Sequence, residues 1–267
     1  MIVFSKSAAF TLIELSIVLI IIGLVIGGTL VGKDLIKASE LRSVISDIDK
    51  YKTAVNVFRL KYNAIPGDMS DATSIWGASA VCNWGKNTDE KTCNGNGDGI
   101  IGAPTNSDFS NASYTYEYYS FWQHLSNANL VNGKFTGGGA LGTGDYGVAE
   151  TGINVPKIFA NGCMNILRWQ DTPGFATYYQ LPYKTLLYIG SPIAGDVCYA
   201  PLFTPTDALF IDTKIDNGLP GSGSIVTLTP NWAETANCAT SLDPDLATYK
   251  ISNTSIACSL LVRKFAN

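Results

Sequence analysis

The chain has 267 residues, a formal net charge of −4 and only 15% charged side chains. That length permits one large domain or two small ones and is enough to bury a core. No basic cluster of the kind nucleic-acid binding needs is present, so nucleic acid is excluded as a default partner. Gly, Asn, Ser, Thr and Tyr are plentiful, which fits an exported β-rich domain with long loops better than a cytosolic enzyme.

From Phe10 to Gly32 the chain is almost wholly apolar, with Glu14 as its one charge. About 20 apolar residues suffice to cross a bilayer as a helix. An acid inside such a run is costly and needs a partner for its charge. Phe10-Thr11-Leu12-Ile13-Glu14-Leu15 followed by this run resembles the N-terminus of type IV prepilins and type II secretion pseudopilins. The resemblance implies a leader at 1–9, cleavage between Ala9 and Phe10, and N-methylation of Phe10, both by a prepilin peptidase. It implies that Glu14 neutralises the amine of a neighbouring subunit's Phe10 during assembly. Ala9 stands where Gly is usual. The competing readings are an uncleaved signal anchor and an ordinary signal peptide, the latter with Lys6 as its basic region and Gly27-Gly28-Thr29 near its cut. Glu14 within the apolar run argues against that.

After Lys33 the pattern changes. Leu41, Val44, Ile48, Tyr51, Val55, Phe58 and Tyr62 are spaced three and four apart and mark one helical stripe on which a head would pack. Pro66-Gly67 stops the helix. A helix from Phe10 to Asn63 would be about 80 Å long. The expected organisation is therefore a leader at 1–9, a membrane or filament-core helix at 10–32, its amphipathic continuation at 33–65 and an extracytoplasmic head at 66–267. The segments Tyr62–Met69, Phe121–Leu125 and Thr206–Gly218 also resemble prepilin-type proteins with a larger head.

Six cysteines, at 82, 93, 163, 198, 238 and 258, all follow the apolar run. An exported domain meets an oxidising compartment, so disulfides are expected. Short loops favour Cys82–Cys93 and Cys238–Cys258, leaving Cys163–Cys198, although sequence alone does not choose among pairings. Zinc is disfavoured: no Cys-x-x-Cys occurs and His124 is the single histidine.

Asn94-Gly95-Asn96-Gly97-Asp98-Gly99-Ile100-Ile101 matches the first half of an EF-hand loop. Asn94, Asn96 and Asp98 are thus candidate calcium ligands, though Thr105 stands where the loop needs a bidentate Glu. The alternative is a series of tight turns, which Asn and Gly favour. Asp212 and Asp216 before Gly218 form a weaker second candidate, with Lys214 between them. No cofactor is required by anything else in the chain.

An aromatic cluster from Tyr114 to Trp122 leads into an expected helix from about Glu117 to Leu130, burying Phe121, Leu125 and Ala128. His124 on it reads as a packing residue. Gly142-x-Gly144-x-x-Gly147 fits a dinucleotide fingerprint only by letter, because no strand precedes it. There is no P-loop and no nucleophile elbow. Residues 166–169, 186–189, 224–228 and 259–262 read as strands. Thr204-Pro205-Thr206-Asp207 reads as a capped helix start, ended by Gly218 and Pro220. Alternation at Leu209, Ile211, Thr213 and Ile215 would instead make that segment a strand, and helix is favoured.

The expected fold is α+β and pilin-like: a long N-terminal helix packed on an antiparallel sheet head with disulfides. The expected role is a structural subunit, not an enzyme, of a type IV pilus or type II secretion pseudopilus. The resemblance also implies as partners other pilin subunits, the prepilin peptidase, a platform protein and an assembly ATPase. The place implied is the inner membrane, single-pass, with the head in the periplasm. The alternative is a minor or tip subunit whose head is an adhesin or substrate-binding module.

Overall fold

A computed structural model describes residues 11–80, 82, 91–102, 112–139, 147–168, 179, 181, 185–228, 235–263 and 265–266. Ala9, Phe10, Thr105 and Trp169 lie outside these, as do Gly142 and Gly144. The architecture is α+β, as read from the sequence. The chain divides into two units, Met1–Ser43 and Val44–Asn267.

The first unit holds the start of helix α1, which runs Leu12–Tyr62 without a break. Its N-terminal part is long and apolar enough to cross a membrane, and none of that window is buried within the chain. Leu12, Ile13, Leu15 and the aliphatics from Ile17 to Ile26 are all exposed. A surface of this kind needs lipid or other helices around it.

In the second unit α1 supplies the stripe expected from its spacing. Val44, Ile48, Tyr51, Val55 and Phe58 are buried, and Tyr62 is half-buried. Tyr51 meets Trp122 edge-on with ring centroids 5.0 Å apart. The helix ends at Asn63, which takes a left-handed φ of 50°. A short helix α2, Ala72–Trp76, follows. It places the Trp76 ring 5.4 Å from that of Tyr62.

Helix α3 spans Ala112–Asn127, beginning five residues before the expected Glu117. Nothing in Ala112-Ser113-Tyr114-Thr115-Tyr116 breaks a helix, so the aromatic run is carried into it. It stops on a Schellman motif. Asn129 has φ 58°, Leu130 N–H donates to Leu125 O and Asn129 N–H to Ser126 O. Phe121, Trp122, Leu125 and Ala128 are buried.

The sheet comprises β1 (Cys163–Arg168), β2 (Thr185–Gly190), β3 (Ile225–Thr227) and β4 (Leu260–Val262). Its order is β1-β2-β4-β3, and every pair is antiparallel. Cys163 sits opposite Gly190, Leu187 opposite Val262, and Val262 also opposite Ile225. Every residue of β2 is buried, as expected for a central strand covered on both faces. Helix α3 packs against β1 and helix α4 against β3.

Helix α4 is Pro205–Ile215. Thr204 caps it: the Asp207 N–H donates to the Thr204 hydroxyl and Thr204 N–H donates back to the Asp207 carboxylate. Pro205 at the first helical position loses no needed N–H. The helix reading of this segment, rather than the strand, is the correct one.

The structure joins Cys82 to Cys93, Cys163 to Cys198 and Cys238 to Cys258. The second ties the start of β1 to a loop 35 residues on. Replacing Cys163 and Cys198 together by Ala should lower the unfolding free energy by about 3–4 kcal/mol, from loop closure alone. A denaturant titration of both chains measures it, and an unchanged midpoint would contradict it.

Candidate functional site

At the N-terminus Thr11 precedes the first helical residue and caps α1. The Thr11 backbone N–H donates to the Glu14 carboxylate at 2.8 Å and the Thr11 hydroxyl donates to it at 2.7 Å. Glu14 N–H in turn donates to the Thr11 hydroxyl at 3.3 Å. This is a capping box, in which a Thr and a Glu three residues on satisfy each other's backbone donors. The acid therefore has a local partner in the single chain. The Thr-x-x-Glu spacing was the signal, and a reading directed at the charge alone passes over it. Ala9 and Phe10 lie outside the described residues.

The calcium-like loop has a different organisation from the one its side chains suggest. Its backbone N–H groups point at two carboxylates from elsewhere. Gly97 and Asp98 N–H donate to one oxygen of Asp68, at 2.8 and 3.1 Å, and Gly99 N–H to the other at 3.0 Å. Asn96 N–H donates to Glu117 Oε1 at 3.0 Å and Gly102 N–H to Oε2 at 2.7 Å. The successive N–H groups of Gly97, Asp98 and Gly99, turned one way, make an anion-binding nest, and Asp68 supplies the anion. Of the three candidate ligands, Asn94 accepts from Thr73 N–H at the start of α2. Asn96 and Asp98 come together, with the Asn96 amide donating to Asp98 at 3.0 Å. Among the described residues no three His, Cys, Asp or Glu side chains gather as a metal site. Asp212 accepts from the Tyr249 hydroxyl and from Gly218 N–H, and Asp216 from Ser224 N–H.

Asp68 and Glu117 are both buried. Burial pushes the Asp68 carboxyl up to about 6 against its hydrogen bonds from the loop. Burial likewise pushes Glu117 up to about 8, with Asp68 and Asp98 adding repulsion. Neither residue stood out in the sequence as part of this loop. The one available signal was Glu117, a lone acid inside an aromatic run.

His124 is fully buried. Gly67 N–H donates to its Nδ1 at 3.0 Å, so the proton sits on Nε2, facing the Thr92 hydroxyl at 3.0 Å and Cys93 O at 3.3 Å. Burial holds it neutral, lowered to about 4. Thr92 in turn donates to Gln123 Oε1 at 2.7 Å. The histidine pins the Pro66-Gly67 turn and the Thr92-Cys93 segment to α3, a packing role. The one hydroxyl among these partners, that of Thr92, is buried and is engaged by Gln123.

A cleft of about 530 Å³ opens beside the end of α1, lined by Arg59, Tyr62, Asn63, Asp71 and Gly97 among others. Its walls are more polar than apolar, with Asp68 and Ser70 beside Ile65 and Met69.

Residues 4–30 match the family model for the prokaryotic N-terminal methylation motif. No curated protein and no solved structure matches the chain.

Proposed function

We propose, from the premise that this motif marks a type IV prepilin- or pseudopilin-type protein, that the chain is a structural subunit of a pilus or pseudopilus. The premise brings assembly with other pilin subunits and processing by a prepilin peptidase. On the same premise the chain's role is structural and not catalytic. The observation that carries the proposal is the motif itself, set at the head of an apolar helix that the chain leaves wholly uncovered.

On this reading the leader is cut before Phe10, the new amine is methylated, and the helix waits in the inner membrane with the head in the periplasm. A platform protein and an assembly ATPase then draw the subunit into a helical filament. Uncovered aliphatic side chains pass from lipid to neighbouring helices, and Glu14 takes the Phe10 amine of the next subunit. Gly23 and Gly27, and Gly28 and Gly32, have open space around them. Small residues at that spacing let helices approach closely.

Mass spectrometry of the mature N-terminus tests the proposal. Methylated Phe10 is the expected result. A chain beginning between Thr29 and Lys33 would mean ordinary signal-peptide cleavage and would end the filament reading. The second reading, a minor or tip subunit, draws on the polar cleft beside Arg59. Subunit counts in purified filaments separate the two, since a tip subunit appears only a few times per filament.

A further inference from the structure

We propose that the turn Leu242–Leu246 docks on the α1 stretch Val31–Arg42 of a second copy of this chain. Its two leucines meet Val31 and Leu35, and Asp245 meets Arg42. The inference rests on the filament-subunit reading and specifies one contact within it.

The turn is built to present its side chains. Leu246 and Ala247 N–H both donate to Asp243 O, at 3.2 and 2.9 Å, which makes one helical turn. Leu242 comes just before this turn and Leu246 near its end, and the two leucines are the apolar part of an exposed knob. They are 55% and 70% exposed, in a domain whose other aliphatic side chains are mostly buried. The base is fixed by Thr240 N–H donating to Thr248 O at 2.9 Å and by the Cys238–Cys258 bond. Asp243 and Asp245 flank the knob and are exposed. The nearby cation, Lys250, is held by Asn237 at 2.9 Å. The knob therefore offers apolar surface with a negative rim.

The same chain carries the complement. Val31 and Leu35 are 61% and 67% exposed. Arg42 is exposed as well and, among the described residues, has no ion pair. Residues 31, 35 and 42 are spaced by four and seven, so they form one stripe of the helix. At about 100° per residue, Asp34 and Glu40 fall off that stripe, by roughly 100° and 140° from Leu35. The stripe is thus apolar with a positive end. Opposite charges at the rim of an apolar contact fix its register and reject misplaced partners. An anionic lipid surface is the poorer occupant, because the two aspartates are repelled by it.

The test uses the full-length chain in cells of its source, with the assembly machinery intact. Two differently tagged copies are expressed, one carrying Leu35→Cys and the other Leu246→Cys. All six native cysteines are paired, so a new disulfide reports the two added thiols. The expected result is a disulfide-linked heterodimer in the filament fraction. Arg42→Asp should remove most of it, and adding Asp245→Arg should bring it back. Should Leu246→Cys fail to accumulate, Val31→Cys with Leu242→Cys asks the same question. Filaments without the heterodimer, or a yield indifferent to Arg42→Asp, overturn the contact and leave the filament reading standing. If the unaltered chain forms no filament, both fall.

Discussion

Glu14→Ala should insert into the membrane normally yet enter filaments about tenfold less often, or worse. Removing the acid makes the apolar run easier to insert, so insertion has no reason to suffer. On the proposed pairing, the loss leaves a neighbour's ammonium unanswered in a low-dielectric core, and an orphaned charge costs far more than an intact pair contributes. The capping box complicates this variant, because Ala also removes the bonds to Thr11. Glu14→Gln resolves the ambiguity. Gln serves at the same place in a capping box but carries no charge. If charge is what assembly uses, Gln fails like Ala. Should Gln assemble like the native chain, the acid's role would be helix capping and the proposed pairing would be wrong. Quantifying membrane-bound and filament fractions for both variants decides it.

The second large effect is on stability against pH. Glu117 is raised from its ordinary value to about 8 in the folded chain. Between these values the folded state keeps a proton that the unfolded state has lost. Stability from this group is therefore fully present at low pH and falls as pH rises through 8, by about 5 kcal/mol over the full window. Asp68, raised to about 6, and Asp212, raised to about 7 by burial, act in the same direction over lower ranges. His124 acts oppositely. Lowered to about 4, it costs stability as pH falls below 6.5 and is silent above it. The interval from pH 6.5 to 8 thus belongs mainly to Glu117, with a tail from Asp212. There the native chain should lose about 2 kcal/mol. Glu117→Gln should be weaker at pH 6.5, because Gln cannot accept from both Asn96 and Gly102 N–H, yet nearly level across the interval. Denaturant titrations at the two pH values measure both slopes. A variant that keeps the native slope would remove Glu117 as the cause.

Much of the fold is visible in local pattern. β1, β2, β3 and β4 are short apolar runs bounded by Pro, Gly, Asn or Cys, and α4 announces itself through Thr204-Pro205-Thr206-Asp207. The stripe on α1 is legible because burial of one helix face imposes its own period. The start of α3 was harder. Tyr and Thr are as acceptable in strands as in helices, so only the later Phe121/Leu125 spacing marks it.

The backbone organisation of the loop at 94–102 is hidden from the sequence for a physical reason. A sequence displays side-chain oxygens but not the direction of backbone N–H groups. The Asn and Gly residues that look like cation ligands also allow the backbone to turn its donors inward, as Gly97 and Gly99 do with φ of 73° and 83°. Their acceptors, Asp68 and Glu117, are supplied by distant parts of the chain, and no local window contains that pairing. The Thr11–Glu14 bonds are the reverse case, three residues apart and readable, but obscured by attention to what the charge does between subunits.

The box at the head of α1 bears on how a filament comes apart. On the proposed role, Glu14 trades Thr11 for a neighbour's amine when a subunit joins, and takes Thr11 back when it leaves. Each half of the cycle begins and ends with an occupied carboxylate, so this residue contributes a swap and not a sink. A polymer assembled this way can return its subunits to the bilayer without stranding an ion in lipid, and growth and retraction can run along one path.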